Sequence, residues 1–205
     1  MKENLNRQHL NRLFWFVIAL LSAYYLYRGI KYRFFTEGNL STNVIWYYAH
    51  LVTAIAPLLL GPFQFWTWLR VNHKRIHRTL GKIYLIGSLL GGLTALYLGV
   101  SIELEGSKVP LFLLSTTWLF MTTAAWITIR NKNTIGHRLF VIRSYALAMV
   151  FVFLRLVGDI PQEKLFFFIK SPEIRDTTLE WISWIIPLLV IELIYSWIPL
   201  LRNKK

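Results

Sequence analysis

Six apolar runs, separated by short polar stretches, organise this chain. Each is long enough to cross a hydrocarbon core of about 30 Å, which takes about 20 helical residues. The pattern places helices at roughly 12–30, 43–69, 83–101, 109–129, 138–158 and 181–201. The expected fold class is an all-α integral membrane bundle of six transmembrane helices, a single membrane domain over 1–205. The first run follows a mildly basic start (Lys2, Arg7, Arg12) like that of a secretory signal. It is long, ends in Tyr24, Tyr25 and Tyr27, and lacks a small-x-small cleavage site, so it reads as a retained helix.

The polar stretches alternate in sign. Arg70 to Lys82 holds five basic residues and no acid, Arg130 to Arg138 holds three and no acid, and the tail adds Arg202, Lys204 and Lys205. Between them, Glu103 and Glu105 face only Lys108, and Asp159, Glu163, Glu173, Asp176 and Glu180 outnumber Lys164, Lys170 and Arg175. Basic loops resist translocation, so both termini and the basic connections are expected in the cytoplasm. The first external loop, with Arg28, Lys31 and Arg33, is the one dissent. The external segment 161–180, with Leu165 to Ile169 apolar, reads as a short surface helix ended by Pro172.

Composition agrees with a bilayer. Of 205 residues 55% are hydrophobic and 16% charged, more apolar surface than one soluble core of this length hides. The net charge of +13 does not imply nucleic acid, because the basic residues flank apolar runs. The absence of cysteine excludes disulfides, iron–sulfur ligation, c-type haem attachment and thiolate catalysis. Trp46, Trp66, Trp68, Trp181, Trp184 and Trp197 fall at run ends, where amphipathic rings anchor at the headgroups. Gly81, Ser88, Gly91, Gly92, Ala95 and Gly99 share one face of the third helix, and Gly87 and Gly91 make a G-x-x-x-G. Such a face packs helices closely or makes room for a flat ligand.

Ionisable and amide groups inside a bilayer are costly and mark candidate sites. His50, Pro57, Gly61 and Gln64 lie in one stripe of the second helix, at about 100° per residue, and suggest a protein-facing crevice. Arg143 and Arg155 sit on the fifth helix. Glu192, on the sixth, is expected to be protonated or paired, with Arg143 or Gln64 as partners. Arg155 needs a counter-charge: Asp159 one turn away, a bound anion or a haem propionate.

Near the cytoplasmic face, His73 and His77 are four apart and His137 opens the fifth helix. The segments His77 to Tyr84 and His137 to Tyr145 echo one another, each opening with His-Arg. Two imidazoles at equal depth on facing helices, His77 or His73 with His137, are what a haem b requires. Three histidines, His73, His77 and His137, could instead hold a divalent metal, or these residues simply bind lipid phosphates.

Gly61-Pro62-Phe63-Gln64-Phe65, Leu69-Arg70, His77-Arg78-x-x-Gly81-x-x-Tyr84, and His137-Arg138 leading to Arg143-Ser144-Tyr145-Ala146-Leu147 and Arg155 resemble a family of predicted bacterial multi-pass membrane proteins of unknown function. The resemblance covers roughly 43–158. It implies a multi-helix fold in the bacterial cytoplasmic (inner) membrane and a special status for His50, His77, His137, Arg143 and Arg155, and it brings no activity. A looser similarity is to the di-haem transmembrane b-type cytochromes, with their four axial histidines. This chain has five histidines, one of them His9 in the tail, and its outer half has only His50. A single inner haem is what that similarity leaves.

The function expected first is an electron-transfer component. His77 and His137 would hold haem b, and His50 and Arg155 would contact a quinone, a second cofactor or a propionate. The competing readings are a small transporter or lipid- and solute-binding protein using the His50–Gln64 stripe, and a scaffold for a partner membrane subunit. An enzyme here would be at most an oxidoreductase component.

Overall fold

The structure is a computed structural model and describes residues 2–35 and 44–202, with side chains from 13–31 and 44–202. Glu37, Lys204 and Lys205 lie outside the described residues, and the side chains of Lys2, Glu3, Arg7, His9, Arg12 and Arg33 are likewise not described. Helix α1 (Lys2–Phe35) is followed by α2 (Val44–Phe65), a short α3 (Thr67–Asn72), α4 (Lys74–Ser101) and α5 (Glu105–Arg130). The next span is divided by a turn at Met149 into α6 (Thr134–Ala148) and α7 (Val150–Gly158). A four-residue α8 (Gln162–Leu165) leads to α9 (Pro172–Glu192), which passes through a π-turn (Leu193–Trp197) into α10 (Ile198–Arg202). Six helical stretches are long and apolar enough to cross a bilayer. One end of the bundle carries Arg70 to His77, Arg130 to Arg138 and Arg202 (the basic end); the other carries Glu103, Glu105 and the segment after Gly158 (the acidic end).

The bundle is apolar outside, and its interior mixes large apolar side chains with small hydroxyl-bearing ones. Ile45, Val52, Phe120, Leu200 and Leu201 are exposed, whereas Ser22, Ser88, Ser107, Ser115, Thr122 and Ser144 are buried. Lipid tails are as apolar as leucine, so helices associate through close packing and hydrogen bonds. The packing is correspondingly tight around α4, which lies between α2 and α5. A Cβ built at Gly87 would lie 2.9 Å from Ala56 Cβ and from the Thr53 carbonyl oxygen, and 3.0 Å from Pro57 Cδ. One built at Gly92 would meet Leu119 Cδ2 at 2.7 Å. Gly61 is tighter still: a Cβ there would fall 2.0 Å from Tyr145 Cε2, so only glycine lets the tyrosine ring cross α2. Trp15 of α1 stacks on Phe65, with centroids 4.5 Å apart, and closes this cluster.

Helices outrun their apolar runs. α4 begins at Lys74, nine residues before the apolar run starts at Ile83, and α9 begins at Pro172, nine before Trp181. Hydropathy marks where a helix enters lipid, not where its hydrogen bonds start. Pro172 therefore opens a helix and does not end one: Ser171 caps it, accepting from the Ile174 amide at 3.4 Å, and proline suits the first turn because its missing N–H has no intrahelical partner. The surface helix expected over 161–180 is reduced to α8, and 172–180 is part of the last span. The second apolar run is broken at Trp66, whose ψ of 102° is extended.

Candidate functional site

At the acidic end, α2, α4, α5, α6 and α7 line a cavity of about 850 Å³, with Leu26 of α1 in its wall. Its lining is mainly aliphatic, including Leu58, Ala95 and Leu147, with Glu103 and Arg155 contributing charge. His50 stands in its wall. The His50 Nδ1 lies 3.0 Å from the Gly91 carbonyl oxygen and 3.3 Å from Thr94 Oγ1. A carbonyl can only accept, so Nδ1 carries the proton and the neutral ring keeps its lone pair on Nε2. The backbone is closely packed here, since a Cβ at Gly91 would lie 3.1 Å from Trp118 Cη2 and 3.6 Å from Ala54 Cα. Trp118 also lines the cavity, and its indole N–H is buried with no partner.

Arg155 does not pair with Asp159, the partner expected from sequence. Asp159 is held by α1: Arg28 Nη1 donates to both carboxylate oxygens at 2.7 and 3.0 Å, and the Tyr25 hydroxyl donates at 3.0 Å. The hydrogen bond from Arg28, then that from Tyr25, hold the Asp159 carboxyl below the ordinary carboxylate range. The Arg155 guanidinium instead sits 4.5 Å over the Phe151 ring and packs against Gly29 of α1. Among the described residues no carboxylate lies within salt-bridge distance of it.

The basic end gathers Gln64, His77 and His137. Gln64 is only 9% exposed, and its Oε1 would lie 3.1 Å from a Cβ at Gly81, one turn beyond His77. The Gln64 Nε2 and the His77 Nδ1 are buried without partners. His137 Nδ1 lies 2.8 Å from the Ala125 carbonyl oxygen, so that nitrogen donates and Nε2 is left as the ligating atom. Arg70, Arg78 and His137 are the charged or imidazole neighbours that act on His77. His77 and His137 are thus electrostatic neighbours, and His137 has its Nδ1 committed to a backbone carbonyl in the way a ligating imidazole does. The three-histidine metal set is different. The His73 ring lies against Trp68, 4.6 Å between centroids, and among the described residues no three His, Cys, Asp or Glu side chains converge on a metal position.

The remaining intramembrane charges neutralise each other. Arg143 Nε and Nη2 grip both oxygens of Glu192 at 2.5 and 3.0 Å, and Ser196, in the π-turn, accepts from Arg143 at 3.1 Å and donates to Glu192 at 2.7 Å. Widening the helix to a π-turn puts Ser196 into this pair. The next residue, Ser144, accepts from the Tyr84 hydroxyl at 3.1 Å and lies 2.8 Å from Thr122 Oγ1, which ties α4, α5 and α6 together. Sequence reasoning missed this hydroxyl cluster and missed Trp118. Trp118 had a usable signal: it stands mid-span, twelve residues before Arg130, far from the headgroup level where tryptophans anchor.

A closed bundle of six spans, with charge confined to its ends and to one internal ion pair, defines a polytopic helical membrane protein. The chain belongs to the DUF2306 family of predicted membrane proteins, which matches residues 47–195, all but the first span and the last turns. No curated protein and no solved structure matches it.

Proposed function

We propose that this protein is an electron-transfer component of the bacterial cytoplasmic membrane that binds a quinone-class lipid in the cavity at its acidic end, with the basic end in the cytoplasm. The observation that carries the reading is the His50 ring: one nitrogen is tied to the Gly91 carbonyl, which fixes the ring and leaves the other for a ligand. A pocket of about 850 Å³ suits a ring-headed lipid, since such sites are mostly apolar with a few placed polar groups. Arg155 supplies a cation that makes no salt bridge among the described residues and is able to donate to a ring oxygen or a headgroup.

A second site is favoured by one specific observation, the His137 Nδ1–H committed to the Ala125 carbonyl. His137 and His77 would hold haem b at the basic end, which when bound supplies one-electron exchange. Their role is to present imidazole nitrogens, and that of the surrounding helices is to keep water out.

One preparation tests both. Protein purified in mild detergent from membranes supplied with haem precursor is extracted for quinones and scanned before and after dithionite. About one quinone per chain, lost in His50→Ala, is the expected result for the cavity. Sharpened reduced α and β bands, lost in His77→Ala and His137→Ala, are expected for the haem. A colourless protein without quinone sinks the redox reading and leaves lipid or solute binding in the same cavity.

A further inference from the structure

The quinone reading leaves open which redox form the cavity prefers, and the hydrogen-bond polarity of its polar atoms bears on that. Resting on that reading, we infer that the cavity selects the reduced, hydroxyl-bearing form of its ring ligand, with His50 Nε2 accepting from a phenolic O–H. The His50 Nδ1–H is committed to Gly91, whose carbonyl also accepts from Thr94 at 3.0 Å. Among the described residues no group donates to Nε2 or accepts from it, which leaves its lone pair for the ligand. Turning the ring over would set Cδ2, a carbon, against Gly91 and lose the Nδ1 contact.

Of the other polar side chains in the lining, Arg155 has only donors, the opposite sense to Nε2, while the hydroxyls of Tyr47, Ser101 and Ser115 can donate or accept and so discriminate little. A hydroquinone oxygen can donate to His50 while its other oxygen accepts from Arg155. A benzoquinone offers acceptors at both ends, and its carbonyl facing Nε2 would leave two lone pairs opposed in an apolar site. Sites built around a particular donor or acceptor reject ligands lacking the complement, because the buried group is then left unpaired. Glu103, also in the lining, is a further acceptor and adds to the preference for a ligand that donates.

The test uses the full chain in lipid nanodiscs, anaerobically, by titration calorimetry against empty discs. Three probes are compared: a decyl-substituted benzohydroquinone, the matching benzoquinone and the hydroquinone dimethyl ether, which keeps the shape but has no O–H. The hydroquinone should bind about tenfold more tightly than the other two, the size expected for one unmatched buried hydrogen bond. In His50→Asn the preference should fall to within about twofold. Asparagine places an N–H where Nδ1 stood, so the link to Gly91 survives while the Nε2 acceptor is lost, and an unchanged melting temperature confirms that. Equal binding of all three probes, or a preference that persists in His50→Asn, overturns the inference and leaves the quinone site standing. Binding of none overturns both.

Discussion

The small-residue face of α4 meets two kinds of neighbour. Toward the middle of the helix, Gly87 locks against Ala56, Thr53 and Pro57 of α2, and Gly92 against Leu119 of α5, with no room for a methyl group. Two turns on, toward the acidic end, Ala95 and Gly99 line the cavity. Near the basic end the bundle is tighter still: Tyr145 lies on Gly61, and Tyr84, Ser144 and Thr122 share buried hydroxyls. The small face therefore brings helices together along its whole length, and a Cβ at Gly99 would still lie 3.2 Å from Leu111 Cβ of α5. At the acidic end the same face also borders a space, the cavity.

If the halves differ in this way, substitutions away from the cavity should register in stability and those beside it in binding. The largest effect is expected at the ion pair. Breaking a fully buried pair costs about 3–5 kcal/mol, because one charge is left without compensation. This pair lies within the spans, where side-chain exposure is to lipid and not to water, so Glu192→Gln should fall in that range, read from unfolding in detergent. The double variant Arg143→Met with Glu192→Met should be more stable than Glu192→Gln alone. If the double variant is the weaker of the two, the pair is not what holds α6 to α9.

Next comes a contrast between two small-to-large changes. Gly61→Ala drives a methyl into the Tyr145 ring and should cost about 1–3 kcal/mol, as overpacking does. Ala95→Leu adds more volume but adds it to the cavity, so it should change the melting temperature little while weakening hydroquinone binding. Equal destabilisation by both would erase the distinction between the halves.

The smallest effect is expected at the clasp of Asp159 with Arg28 and Tyr25, both of whose charged groups are exposed. Because the folded carboxyl is held below its ordinary range, the clasp contributes above the unfolded value of about 3.9 and is lost as pH falls through the lower, folded value. A cysteine placed at Leu26, in a chain with no cysteine of its own, should react faster with maleimide once the protein is acid-pulsed through that window. In Asp159→Asn the fast reaction should already be present at neutral pH. Identical rates in both proteins across the range would mean that the clasp does not hold α1 against the cavity.

Much of this architecture could be read from the chain alone, because a bilayer imposes a simple rule. Backbone groups in lipid must bond within their own helix, so apolar runs of the right length declare the spans. The protein-facing stripe of α2 was legible as well: Pro57, Gly61 and Gln64 are buried, although Tyr145 fills the space at Gly61 and of the stripe only His50 reaches the cavity. Depth was legible too, since His77 and His137 are electrostatic neighbours at one end, and Arg143 is the partner of Glu192. What depth along a helix does not reveal is lateral proximity. Asp159 is one turn from Arg155 and still bonds to α1, because α1 carries Tyr25 and Arg28 to the same height. His73 is four residues from His77 and still turns to Trp68, because the helix is interrupted between Trp66 and Lys74.

The sequence by itself determined how many times the chain crosses, which residues lie at each end and which few polar groups must find partners in lipid. Only the tertiary structure decided that the small face of α4 borders a cavity at its acidic end, and that Trp118 lines it. The reason is physical: spans are set by the free energy of single helices in lipid, whereas a cavity exists only in the spacing between helices, which no one helix encodes.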